Sequence, residues 1–333
     1  MGELIMSAPV AGLASKSRIT GEDVAMLRQE VFGDGVVTRG EAEALFALDA
    51  TAKEKCQEWP DFFVEAVTDY IVHQEKPSGY ISQENADWLI RTISRDGMVD
   101  SRTELELLVH VLEKARSSPS QLCVYALEQV AHAVIDGKGP LMLGGALVPG
   151  LIAKAEVELL RRILHAHGGD GNIAITRAEA EVLFKINERT AQADNDPSWN
   201  DLFVKAIANF VMCSAGYEAP TREVALRRDA FLEHADPEIG SFFSRMVSGG
   251  LAAIMEAYRS PDDIEAEWEA KNRAAEALAR RAETIDAGEA SWLIEHIGAD
   301  RPLYENERAL LTLIKQASPE IHPALRPLLD KVA

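Results

Sequence analysis

The sequence predicts an all-α protein of two tandem homologous multi-helix domains built from helix-loop-helix units, with a helical insertion in the second. Three observations predict it. Thr38 to Phe46 (TRGEAEALF) returns as Thr176 to Phe184 (TRAEAEVLF), and Trp59 to Val72 (WPDFFVEAVTDYIV) returns as Trp199 to Met212 (WNDLFVKAIANFVM). Ala86-Asp87-Trp88-Leu89-Ile90 returns as Ala290-Ser291-Trp292-Leu293-Ile294, so the matched blocks keep their order. No stretch alternates apolar and polar residues between turns, so no strand is expected. Ordered internal repeats set the architecture.

Residues 1–18 are small and unpatterned and read as a flexible tail. The first domain follows over 19–137, a Gly/Pro-rich linker over 138–150, and the second domain over 151–333. A helix starts at Thr20, whose hydroxyl suits the N-cap with Asp23 three residues on, and runs to Phe32. The same start recurs at Ser82 and at Asp286, where Glu289 completes a capping-box pair. In all three the aspartate of the next turn lies fourteen residues after the cap: Asp34, Asp96 and Asp300. The second helix of a pair opens with Thr38-x-x-Glu41, Ser101-x-x-Glu104 or Thr176-x-x-Glu179, each a capping box. Helix pairs are therefore expected at about 20–54, 82–116, 152–193 and 286–317, joined by Trp-led middle helices. Closing helices are expected after Ser118-Pro119 and Ser318-Pro319, since proline is favoured at the first helical position. Trp59 to Ser82 spans 23 residues and Trp199 to Asp286 spans 87, an excess of 64 assigned to an insertion at about 215–284. Its last helix, rich in Glu, Ala, Lys and Arg, carries only a narrow apolar stripe that includes Trp268. Such a stripe packs along a neighbour within its own domain or, as the alternative, docks a partner, so 227–284 is the candidate docking segment.

Thirty-four basic against 54 acidic residues give a net charge of −20. That surface repels phosphate backbones and anionic lipid, which argues against nucleic-acid or membrane partners and for basic surfaces, cations or neutral ligands. Cys56, Cys123 and Cys213 are odd in number and widely spaced, and they are expected to be reduced and buried. The first residues carry no basic stretch before their apolar run, and the longest apolar run is broken by Gly and Pro. The expected location is cytoplasmic.

The turns between paired helices read Gly33-Asp34-Gly35-Val36-Val37, Arg95-Asp96-Gly97-Met98-Val99 and Gly169-Asp170-Gly171-Asn172-Ile173. Structure alone explains them: glycine takes positive φ, the apolar residue two later plugs the core, and the glutamate caps the next helix. A degenerate EF-hand is an alternative, with Gly35, Val37 and Glu41 at the glycine, apolar and final-glutamate positions. There, however, Phe32 falls on a ligand position, and the second turn has Thr103 where glutamate is needed. Asp-Gly, five residues, then Glu at the start of a helix resembles the tellurite-resistance protein B-like helical domain and the N-terminal module of a membrane-linked DnaJ-type co-chaperone. Asp34-Gly35 with Glu41 fits directly, Asp96-Gly97 with Glu104 has one extra residue, and Asp170-Gly171 with Glu179 has two. The fourth turn, Asp300-Arg301 with Glu307, has lost the glycine. The resemblance implies an all-helical, non-enzymatic binding or scaffold module linked to stress responses. It also implies weak divalent-cation binding by Asp34 and Glu41, with Asp96 and Glu104 as the sister pair. Oxygen-only ligands of that kind select calcium or magnesium.

No Walker loop, Gly-x-Ser-x-Gly or Glu-x-x-His pair occurs, so no catalytic residue is assigned. His165-x-His167 with Asp170 is the one compact set of metal-ligand types. The rival function is an enzyme whose pocket lies between the two domains.

Overall fold

The computed structural model describes residues 17–33, 35–74, 76–95, 97–144, 148–167, 175–212, 285–298, 301–318 and 320–332. Residues 1–16 of the expected tail and the insertion at about 215–284, with Cys213 and Trp268, lie outside them, whereas Ser17 and Arg18, also assigned to the tail, are described and Arg18 belongs to a strand. The chain is all-α in class. Its described helices are α1 (Gly21–Val31), α2 (Arg39–Thr51), α3 (Trp59–Thr68), α4 (Gln83–Ile93), α5 (Arg102–Lys114) and α6 (Ser120–Ala131). They continue as α7 (Lys154–His167), α8 (Arg177–Thr190), α9 (Pro197–Met212), α10 (Ala287–Ile297), α11 (Glu305–Ala317) and α12 (Arg326–Leu329). No described helix is long and apolar enough to cross a membrane. The described residues form two compact units: 17–210 with 301–310, and 211–212 with 285–298 and 311–332.

Local chemistry starts the helices where the caps predict. The Thr20 backbone N–H donates to Asp23 Oδ2 (2.9 Å), while Asp23 N–H donates to Thr20 Oγ1 (3.3 Å). The same reciprocal box closes at Thr38 with Glu41, Thr176 with Glu179 and Asp286 with Glu289. Each such cap is worth about 1 kcal/mol. Gly35 and Gly97 take φ of 76° and 83°, conformations that a Cβ would strain, and Val37 and Val99 are buried behind them.

Three expectations are corrected. Pro119 is itself the N-cap of α6, with no side-chain hydrogen bond, so Ser118 does not cap that helix. The closing helix expected after Ser318-Pro319 is instead a run of short turns: Pro323–Leu325, α12, then Asp330–Val332. Pro323 and Pro327 deny their N–H groups to a longer helix there. Short strands also exist: β1 (Arg18–Ile19) pairs in parallel with β2 (Glu54–Lys55), and β3 (Ser94–Arg95) pairs antiparallel with β4 (Met98–Val99).

Those pairings belong to a wider pattern. In the first helix pair, Cys56 N–H donates to the Ile19 carbonyl (3.0 Å). In the second, Ile81 N–H donates to Ser117 (2.9 Å), and in the third Asp196 N–H donates to Ile152 (2.8 Å). Within the second compact unit, His322 N–H donates to Ile285 (3.0 Å). In all four places a buried isoleucine at the entrance of a helix pair is tied to the chain that leaves it.

Aromatic packing also recurs. Phe46 meets Phe63 edge-on at 5.0 Å, with Trp59 tilted over Phe63 at 6.1 Å. Phe184 meets Phe203 edge-on at 5.1 Å, with Trp199 tilted over Phe203 at 5.8 Å. Residues 138–150, expected as a linker, hold a 3-10 turn at Pro140–Gly144 and a glycine at φ 85° at Gly150. Across that stretch α5 and α6 pack on α7 and α8 inside the first compact unit, and Arg162 reaches both Glu106 and Glu113 at 2.8 Å.

Candidate functional site

The expected cation ligands sit at helix starts. Glu41 Oε2 accepts from the Thr38 backbone N–H and hydroxyl, both at 2.8 Å. Glu104 Oε2 accepts from the Ser101 hydroxyl (2.9 Å). Asp34, Asp96 and Asp170 lie outside the described residues, as does the side chain of His167. In the fourth turn Arg301 grips Glu307 with two hydrogen bonds, at 2.6 and 3.0 Å, so a guanidinium occupies that carboxylate. Among the described residues no three His, Cys, Asp or Glu side chains converge as a metal site. His165 lines a cavity of about 310 Å³ with Leu164, Ile175 and Leu202. Cys56 is half-buried, between β2 and α3 rather than within a helix. Cys123 is buried, and burial followed by the nearby Glu179 carboxylate pushes its thiol pKa up, which suits an inert core thiol.

Burial holds the Glu104 carboxyl above the ordinary carboxylate range against the Ser101 hydrogen bond that lowers it, with Asp49 and Asp100 adding repulsion. The folded state therefore keeps a proton that the unfolded chain has released. Its contribution to stability is present below the unfolded pKa and is lost as pH rises through the folded one. Glu104→Gln is expected to be more stable than the parent at about pH 7 and indistinguishable from it at about pH 3. Urea midpoints at the two pH values check this, and a variant destabilised at neutral pH would contradict it.

A second location emerges from comparing the two tryptophans that lead matched helices. Trp59 is fully buried, and its indole N–H donates to Asp49 Oδ1 at 2.6 Å. Lys55 pairs with the same carboxylate at 2.6 Å. The first site is closed and satisfied. Asn187 stands eleven residues after Thr176, as Asp49 stands eleven after Thr38. Its Oδ1 accepts from Asn306 Nδ2 (2.7 Å), and Asn306 Oδ1 accepts from Asn200 Nδ2 (2.6 Å). The amide carbonyl is thus turned toward Asn306, and among the described residues neither Asn187 Nδ2 nor Trp199 Nε1 has a hydrogen-bond partner. Both residues are only 1% exposed. A buried donor left unpaired costs roughly 1–3 kcal/mol, so two together need a reason.

Asn187 and Trp199 line a cavity of about 420 Å³, with Asn200 and Asn306 beside them and Asp194 and Glu305 also in its wall. α8 supplies Asn187, the start of α9 supplies Trp199 and Asn200, and the start of α11 supplies Glu305 and Asn306. Hydrogen bonds from Ser198 hold the neighbouring Asp196 carboxyl below its usual range, so it stays a charged acceptor at the start of α9. Three carboxylate residues, Asp194, Asp196 and Glu305, line the cavity, whereas the Asn187 Nδ2 and Trp199 Nε1 atoms are themselves closed to solvent. No protein-family model, curated protein or solved structure matches this chain.

The sequence held one sign of this site. Within the matched repeat an acid became an amide, Asp49 to Asn187, ahead of a tryptophan that did not change. Asn306 could not be placed from sequence, because it joins Asn187 from 119 residues away.

Proposed function

We propose that this chain is a non-enzymatic binding protein of the tellurite-resistance protein B-like type, built from two copies of one helical domain, with its ligand site beneath Trp199. The asymmetry of the two tryptophans carries the reading. In the first copy Asp49 satisfies the indole, and in the second the two residues whose buried donors lack a partner among the described residues line a cavity sized for a small ligand. The paired aromatic geometry, the shared capping boxes and the isoleucine closures support the duplication. Indole N–H resonances of ¹⁵N-labelled protein test the site, with the Trp199 signal assigned by its loss in Trp199→Phe. Screening small polar compounds is expected to move that resonance while leaving Trp59 in place. A screen in which Trp199 never responds ends the proposal.

The proposal extends to weak calcium or magnesium binding at the Asp-Gly turns through Asp34, Glu41, Asp96 and Glu104. Adding either ion to chelator-treated protein is expected to raise the thermal midpoint, and Asp34→Asn with Asp96→Asn to abolish the rise. A flat response leaves these glutamates as helix caps. It further includes a protein partner recruited through 227–284, tested by capture from native lysate with and without that segment.

A further inference from the structure

We infer that a second cavity, between α7 and α9, binds a small arylalkanoate: a free carboxylic acid that carries a phenyl ring on a short aliphatic chain. The cavity measures about 310 Å³ and is lined by Leu164, Ile175 and Leu202, against which the ring lies. Arg161 in the same lining holds the carboxylate, with His165 and Lys205 beside it. This cavity shares no lining residue with the one at Trp199 and stands without it.

The equivalent place in the first helix pair shows what is missing here. Positions correspond because the two entrance helices start alike: Ala153 N–H donates to Glu156 Oε2 at 2.9 Å, as Thr20 N–H donates to Asp23 Oδ2 at 2.9 Å. Counting from those caps sets Arg161 on Arg28 and His165 on Phe32, and the Trp-led repeat sets Leu202 on Phe62 and Lys205 on Glu65. In the first copy the place is full. Phe32 meets Phe62 edge-on at 6.3 Å, the Arg28 guanidinium lies 5.5 Å over the Phe62 ring, and Arg28 pairs with Glu65 at 2.7 Å. In the second copy histidine and leucine stand for the two rings and lysine for the acid, so ring volume and a carboxylate are lost together. Side-chain volume removed without refilling leaves a cavity. Phe62 is fully buried, whereas Leu202 keeps 8% of its surface open to solvent. The charge changes with the volume. Among the described residues Arg161 keeps one ion pair, a long 3.9 Å contact to Glu158 on its own helix. Lys205 pairs with Asp201 one turn back at 2.7 Å, and both side chains are exposed, so that pair contributes little. A balanced arginine–glutamate pair has become an arginine and a lysine facing one cavity, with Asp201 as the acid in its lining. An anion with an apolar body suits such a place. A ring and a carboxylate on a short chain return both missing groups at once. About 310 Å³ lies at the lower end of the usual range for ligand sites, which fits a free acid rather than a longer chain.

The whole chain, with ¹³C-methyl-labelled isoleucine, reports on the cavity through Ile175, whose signal is assigned by its loss in Ile175→Val. Phenylpropionate is expected to saturate a shift of that signal about fivefold more tightly than its neutral counterpart phenylpropionamide, and acetate to give no shift. Arg161→Gln, at a partly exposed side chain whose ion pair is long, should bring phenylpropionate down to the amide and leave the amide unchanged. Leu202→Phe with Lys205→Glu rebuilds the filling of the first copy and should abolish the response to every probe. N-acetyl-phenylalanine offers the same ring and carboxylate on a peptide unit. Tighter binding of that probe than of phenylpropionate would assign the cavity to a chain terminus and overturn the free acid. Equal affinities for acid and amide, an Arg161→Gln protein that still prefers the acid, or a double variant that still responds would each overturn it too. So would an Ile175 signal that no probe moves, the result expected if another part of this chain or a second copy already fills the cavity.

Discussion

Replacing Trp59 by phenylalanine is expected to cost roughly 2 kcal/mol more folding stability than the same replacement at Trp199. Both changes remove a similar volume from a buried position, and both rings lie beside an equivalent phenylalanine, so the packing losses largely cancel. The polar terms do not cancel. Trp59→Phe deletes a 2.6 Å hydrogen bond to a buried carboxylate, leaving Asp49 to Lys55 alone. Trp199→Phe deletes a donor that has no partner among the described residues. Urea unfolding of the two variants at neutral pH measures the difference. Equal penalties would show that the second indole is satisfied in the free protein, and the case for an open site would go with it.

Arg301→Ala is expected to lower stability by about 3 kcal/mol, near the lower end for breaking a buried ion pair because the arginine keeps some solvent contact. Glu307 is 1% exposed and is held by two guanidinium hydrogen bonds and the Tyr304 N–H. Without Arg301 its charge stays buried with only the backbone donor. The guanidinium also lies 4.4 Å over the Tyr304 ring, so the substitution loosens the start of α11, which carries Glu305 and Asn306. Replacing both members, as Arg301→Met with Glu307→Leu, should recover most of the loss, since no charge is then stranded. A single variant as stable as the parent would show that Glu307 reaches water.

Helix positions were legible where chemistry within one turn decides them. Thr20, Thr38, Thr176 and Asp286 each start a helix because hydroxyl or carboxylate oxygens reach N–H groups two or three residues away, a relation visible in four letters. Pro119 misled because a serine beside a proline looks like a cap whichever of the two holds that position. β1 and β2 were invisible for a different reason. Two residues have no periodicity, and the Ile19–Cys56 bond depends on two helices folding back first. The site divides the same way. Glu41 and Glu104 could be placed at helix starts from local spacing, whereas the cavity under Trp199 needs Asn306, which no local pattern links to Asn187.

The isoleucine closures have a topological consequence. Each backbone bond between the entrance and the exit of a helix pair turns that stretch into a ring, and the rings are strung on short tethers. Lengthening a ring would pull its closing bond apart, whereas lengthening a tether costs only slowly growing loop entropy. Between the first ring and the second the chain runs through α3 and the residues that follow it up to Ile81. Any further domain grafted onto this chain would be tolerated best at the same kind of joint.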